Sequence, residues 1–179
     1  TGAVGYWILI PGTGANGNSV ILTYDLSTSF NETPVQRNEI GINTSTTAGW
    51  MQANPQGTHI SVIAAGHVHL LDFDAADGKV LYNRQLSSAA GSFYGTVFSP
   101  SGEVVYATEA TTIHSYEVGS NSHNTFSPTG PYFSGAIQAG PNGKLYVATN
   151  GGSSLHVFNT PNEFNAVSYT HLTLPTTPY

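Results

Sequence analysis

The sequence has no cysteine, which excludes a disulfide framework, a thiol nucleophile and a cysteine-ligated zinc. Charge is nearly as scarce. Asp, Glu, Lys and Arg make up 8% of the 179 residues, against about 25% in an average domain. Only four residues are Lys or Arg and the net charge is −6, so no basic surface is expected to hold a nucleic acid backbone. No apolar run nears the roughly 18 residues of a membrane-spanning helix, and no membrane insertion is expected. No ten-residue stretch carries helical apolar spacing, which excludes bundles and coiled coils. What is present is 39% hydrophobic residues, 11% aromatics, 20 Gly and 10 Pro. That apolar content argues against general disorder.

The apolar segments are short, β-branched and bounded by Gly, Pro, Asn or Asp, as strands and turns require. Tyr6–Ile10, Val20–Tyr24, Ile60–Ala64, Val68–Phe73, Val104–Thr108, Ile113–Val118, Leu145–Thr149 and Leu155–Phe158 read as strands. Pro-x-Gly recurs at Pro55-Gln56-Gly57, Pro100-Ser101-Gly102 and Pro141-Asn142-Gly143, at intervals of 45 and 41 residues. Pro presets φ at a turn entrance, and Gly takes a conformation that side chains penalise. Each turn follows a short segment opened by Gly49, Gly95 or Gly135 and precedes a β-run. A further strand ends each unit around Leu71, Tyr116 and Phe158, with an earlier copy around Tyr24, and a fourth is expected near Val80–Leu86. Four strands per roughly 40–47 residues is the period of a β-propeller blade.

The expected fold is therefore all-β: a β-propeller fragment of about three and a half four-stranded antiparallel blades. The blades fall at about 1–48, 49–90, 91–130 and 131–166. Closed rings use four to eight blades, so a slice of a larger propeller is expected.

Phe98-Ser99-Pro100-Ser101-Gly102 with Val105-Tyr106-Ala107, and Gly140-Pro141-Asn142-Gly143-Lys144 with Leu145-Tyr146-Val147-Ala148, resemble the repeats of bacterial YVTN and WD-like β-propellers. The usual Asp of that turn is replaced by Gln56, Ser101 and Asn142. More narrowly, Gly5-Tyr6-Trp7-Ile8-Leu9 and Ser154–Asn162 look like propeller regions of large secreted Bacteroidetes proteins that carry a type IX sorting signal. This resemblance implies an extracellular or cell-surface setting and no established catalytic activity. The expected function is a non-enzymatic interaction or adhesion module with a protein or glycan partner and no cofactor. The alternative is part of a seven-bladed lactonase or sugar-hydrolase propeller. For it the third strands offer Asp72, Glu117 and Asn159 in register.

Phe93-Tyr94 and Tyr132-Phe133 precede the expected first strands of their blades, on the face where propellers bind partners, and are the candidate contact residues. Trp7 and Trp50 suit packing between blades. His67 and His69 lie two apart on one strand face, as two imidazole ligands would. His69, His114 and His156 recur at one position of three blades, but the first blade has Leu22 there, and the position alternates with core residues. Asp72, Asp74 and Asp77 could offer oxygens to calcium, yet Asp-x-x-Asp-Gly is also an ordinary turn. Pro11–Asn18 lacks the Lys of a phosphate loop and reads as a long hairpin loop.

Val167-Ser168-Tyr169-Thr170-His171-Leu172-Thr173-Leu174-Pro175-Thr176 resembles, at all ten positions, a translated transposase adapter used in shotgun sequencing. Residues 167–179 are accordingly expected to be a non-native tail, with the propeller confined to 1–166.

Overall fold

The computed structural model describes residues 6–13, 19–26, 32–42, 50–127, 133–150, 154–166 and 168–173. Among them are fifteen strands and no helix. β1 (Trp7–Thr13), β2 (Ser19–Asp25) and β3 (Gln36–Glu39) form a three-stranded sheet. β4 (Met51–Ala53), β5 (His59–Ala64), β6 (His67–Asp74) and β7 (Lys79–Gln85) form the second sheet. β8 (Phe93–Phe98), β9 (Val104–Glu109), β10 (Thr112–Glu117) and β11 (His123–Phe126) form the third. β12 (Phe133–Ala139), β13 (Leu145–Asn150), β14 (Ser154–Phe158) and β15 (Ser168–Thr173) form the fourth. Each strand pairs antiparallel with its neighbour in sequence, which is the meander of a propeller blade.

The three Pro-x-Gly turns occupy the same hairpin in three sheets. The Gly57, Gly102 and Gly143 N–H groups donate to the carbonyls of Asn54, Ser99 and Gly140 at 3.0, 2.8 and 3.1 Å. All three glycines have positive φ, at 67°, 76° and 73°, the left-handed region that Gly alone enters freely. Asn54 and Ser99 donate to the carbonyls five residues on, at His59 and Val104, while Gly140 donates to Lys144, four on. The last hairpin is thus one residue shorter.

The chain divides into two compact units, residues 1–90 and 91–179, with two sheets in each. In the first, Ile21 and Ile40 pack on Ile60, Val62, Leu71, Phe73 and Val80 of the second sheet. In the second, Val97, Val104, Tyr106 and Ile113 pack on Ile137, Leu145, Val147 and Phe158. Both units add the same fastening. The turn after the third strand of one sheet docks on the sheet before it. Thr23 Oγ1 donates to Gly78 O at 2.8 Å, and Ser115 Oγ donates to Phe164 O at 3.2 Å. Thr23 and Ser115 each follow the residue at the recurring His position, Leu22 and His114. Trp7 adds its indole N–H to Ala75 O at 3.0 Å and sets its ring edge-on to Phe73, so it does pack between sheets.

Three expectations change. Pro11–Asn18 is not all loop: β1 continues to Thr13, with Pro11 opposite Ile21 and Thr13 opposite Ser19. β1 is an edge strand, where proline's missing N–H costs the ladder nothing. Phe93 and Tyr94 lie inside β8 rather than before it, and Phe133 opens β12. The last sheet has four strands instead of a partial set, because β15, from the adapter-like segment, pairs with β14. That pairing carries a register break between Val157 and Phe158.

Candidate functional site

The first strands of the two sheets in the second unit are both bulged, at the same place. β8 loses register with β9 between Phe93 and Thr96, and β12 loses register with β13 between Ser134 and Ile137. In each bulge two residues, Tyr94-Gly95 and Gly135-Ala136, stand opposite one residue of the partner strand, Thr108 and Ala148. A bulge bends its strand and re-aims a side chain, and glycine inside a strand is its common mark. Gly95 also lets the two strands approach: a Cβ there would stand 3.1 Å from Ile137 N. Thr108 holds the pair together, its hydroxyl donating to Gly135 O at 2.8 Å and accepting from Gly95 N–H at 3.0 Å.

These bulges line a cleft of about 670 Å³, within the size range of small-molecule sites. Its walls are Ser92, Tyr94, Ala110, Gly135, Ala136, Ala148, Thr149 and Asn150. Tyr94 is 54% exposed and offers a free aromatic ring. Ser92, Thr149 and Asn150 add neutral hydrogen-bonding groups, and the Thr149 hydroxyl already donates to Ser154 O at 2.8 Å. Ala110 enters the cleft from the β9–β10 turn with φ +45°, a strained setting for alanine. Of the expected contact residues, then, Tyr94 lies at the cleft. Phe93 does not: it is buried, and its ring packs edge-on to His114. Alternation along a strand sends neighbours to opposite faces, which separates the two. Tyr132 lies outside the described residues, as does the Phe133 side chain. Ala110, Ala136 and Asn150 carried no chemical signal in the sequence, although Gly95 and Gly135 marked the bulges.

The three recurring histidines are equivalent by register: His69 faces Val62, His114 faces Ala107 and His156 faces Val147. The nitrogens of His69 and His114 are turned to separate partners. His69 Nε2–H donates to Ala64 O at 3.3 Å, and its Nδ1 is buried without a partner. This is the neutral tautomer, and burial holds its pKa below the usual histidine value. His67 Nδ1 instead meets Ser87 Oγ at 3.1 Å, so the His67/His69 pair does not converge. His114 forms a chain of contacts within its sheet. Its Nδ1 lies 3.0 Å from His123 Nε2, in coplanar rings, and its Nε2 lies 2.9 Å from Glu109 Oε2, off the ring N–H axis. Tyr116 stacks on His123 with centroids 4.6 Å apart. Burial lowers the pKa of His114 against the opposing pull of Glu109, and burial lowers that of His123.

The Asp cluster is turn chemistry. Asp74 Oδ1 accepts from Ala76 N–H at 2.9 Å, Asp77 Oδ1 accepts from Lys79 N–H at 3.0 Å, and Gly78 has φ +75°. Asp72 Oδ1 accepts from Asn83 at 2.7 Å. Among the described residues, no three His, Asp or Glu stand close enough to share a metal ion. Asp72 and Glu117 are equivalent, opposite His59 and Val104, and Asn159 follows the last paired residue of β14 at the matching position.

No protein-family model matches the chain. No curated protein matches it. Solved structures do. A Bacteroides uniformis protein described as a candidate 6-phosphogluconolactonase superposes with TM-score 0.69 at 12% identity, over 95% of this chain and 54% of its own. The periplasmic gluconolactonase of Pseudomonas aeruginosa gives 0.63 at 14% identity, over 96% and 55%. The fold is that of a β-propeller. A candidate 6-phosphogluconolactonase of Bacteroides fragilis agrees, with TM-score 0.62 at 14% identity over 99% and 57%. The chain therefore spans little more than half the length of these structures, and its sheets are propeller blades.

Proposed function

We propose that this chain is the ligand-binding part of a lactonase-type propeller, with a sugar lactone seated in the Tyr94 cleft. The observation that carries the reading is the likeness to gluconolactonase structures over nearly the whole chain. The cleft supports it on chemistry. A pyranose-like lactone has apolar C–H faces and a rim of hydroxyls. The exposed Tyr94 ring suits the face, and Ser92 and Asn150 suit the rim. The alanines and glycines between them leave room for a flat ring.

The test is calorimetric titration with D-glucono-1,5-lactam, a stable isostere of the lactone. The reading expects saturable binding that Tyr94→Ala weakens by about tenfold, near 1.4 kcal/mol. No binding, or binding indifferent to Tyr94→Ala, contradicts it. A second reading is a non-enzymatic adhesion or interaction module of a secreted or cell-surface protein with a glycan partner. The uncharged lining favours it, since such a cleft binds a sugar without attacking it. Lactam binding with no acceleration of D-glucono-1,5-lactone hydrolysis over the spontaneous rate selects that reading.

A further inference from the structure

The solved structures similar in fold include two described as candidate 6-phosphogluconolactonases, and phosphate recognition has a strict chemistry. A phosphate dianion out of water is held by Arg or Lys or by a helix N-terminus. The whole chain has only four Lys and Arg residues, and each has a place. Arg37 is on β3 and Lys79 and Arg84 are on β7, the last strands of their sheets in the first unit. Lys144 is in the second unit but immediately precedes β13, whose far end, Thr149-Asn150, lines the cleft. Six steps along the strand take the chain from Lys144 to Asn150, about 20 Å at strand rise. None of the four lines the cleft, and the described residues hold no helix.

The nearest charge by chain position has the opposite sign. Glu109 precedes Ala110, and its carboxyl lies over Gly91, which precedes Ser92, so that a Cβ at Gly91 has no room. A carboxylate thus stands behind two of the segments that enter the cleft. That negative charge repels a phosphate dianion brought to the cleft.

Resting on the proposed sugar site, we infer that the cleft selects the uncharged sugar ring and rejects its 6-phosphate. The discrimination comes from the neutral lining and the Glu109 carboxylate.

The experiment titrates the full chain with D-glucono-1,5-lactam and with its 6-phosphate at low ionic strength. The lactam is expected to bind at least about tenfold tighter. Asn150→Lys, which puts a cation on the cleft wall, is expected to narrow that gap at least about threefold, and added salt to reverse the narrowing. Equal or tighter binding of the 6-phosphate by the unmodified chain overturns this inference while keeping the sugar site. Binding of neither compound overturns the sugar site and this inference together.

Discussion

At the scale of single residues, the histidines set the response to acid. The sign follows from His69, whose unpartnered Nδ1 would gain a buried proton and charge. The folded chain therefore binds fewer protons than the unfolded chain just below the ordinary histidine value of about 6.5. His114 and His123 are lowered in the same direction. Stability is full above that value and falls as the pH drops through it. Thermal melts should show a lower Tm at pH 5 than at pH 7.5, and His69→Gln should reduce the difference. An equal or higher Tm at pH 5 would contradict this account. Ala110 gives a second residue-scale prediction. Its φ of +45° costs an L-residue about 1 kcal/mol, so Ala110→Gly should raise the denaturation midpoint, offset in part by glycine's greater unfolded-state freedom. A clear loss of stability would show that the methyl group packs favourably in the cleft wall.

At the scale of elements, the Pro-x-Gly turns were legible because their mechanism is local: one residue fixes φ and another supplies a positive φ. Gly57 isolates that mechanism, since a Cβ there meets nothing within 4 Å while φ is +67°. Gly57→Ala should cost about 1–2 kcal/mol by urea denaturation. Gly57→Asn should cost less than half as much, because Asn tolerates the left-handed region. Equal costs would point to lost solvation or packing instead of backbone strain. The central strands were legible for a similar reason, their β-branched runs being bounded by turn residues. β3 (Gln-Arg-Asn-Glu) and β11 (His-Asn-Thr-Phe) were not, because they are short and polar and form through pairing with a better-patterned neighbour. β15 is an edge strand paired to β14, and pairing to an open edge asks little of a sequence.

At the scale of the whole molecule, each unit repeats one plan: two blades face to face, with a hydroxyl at the position of Thr23 and Ser115 fastening the next turn. The repeat was visible in the sequence because blades copy turns and core residues together. The candidate site was visible only in part. Tyr94 stood out as an aromatic, but much of the cleft wall is alanine and glycine with no chemical signature. The cleft between the bulged strands β8 and β12 is the centre of the functional account, and ¹H–¹⁵N NMR mapping of D-glucono-1,5-lactam binding tests it most directly. The account predicts saturable shifts concentrated at Ser92, Tyr94, Ala110, Thr149 and Asn150. Shifts confined to the turns around Gly57 and Asp74, or none at millimolar ligand, would contradict it.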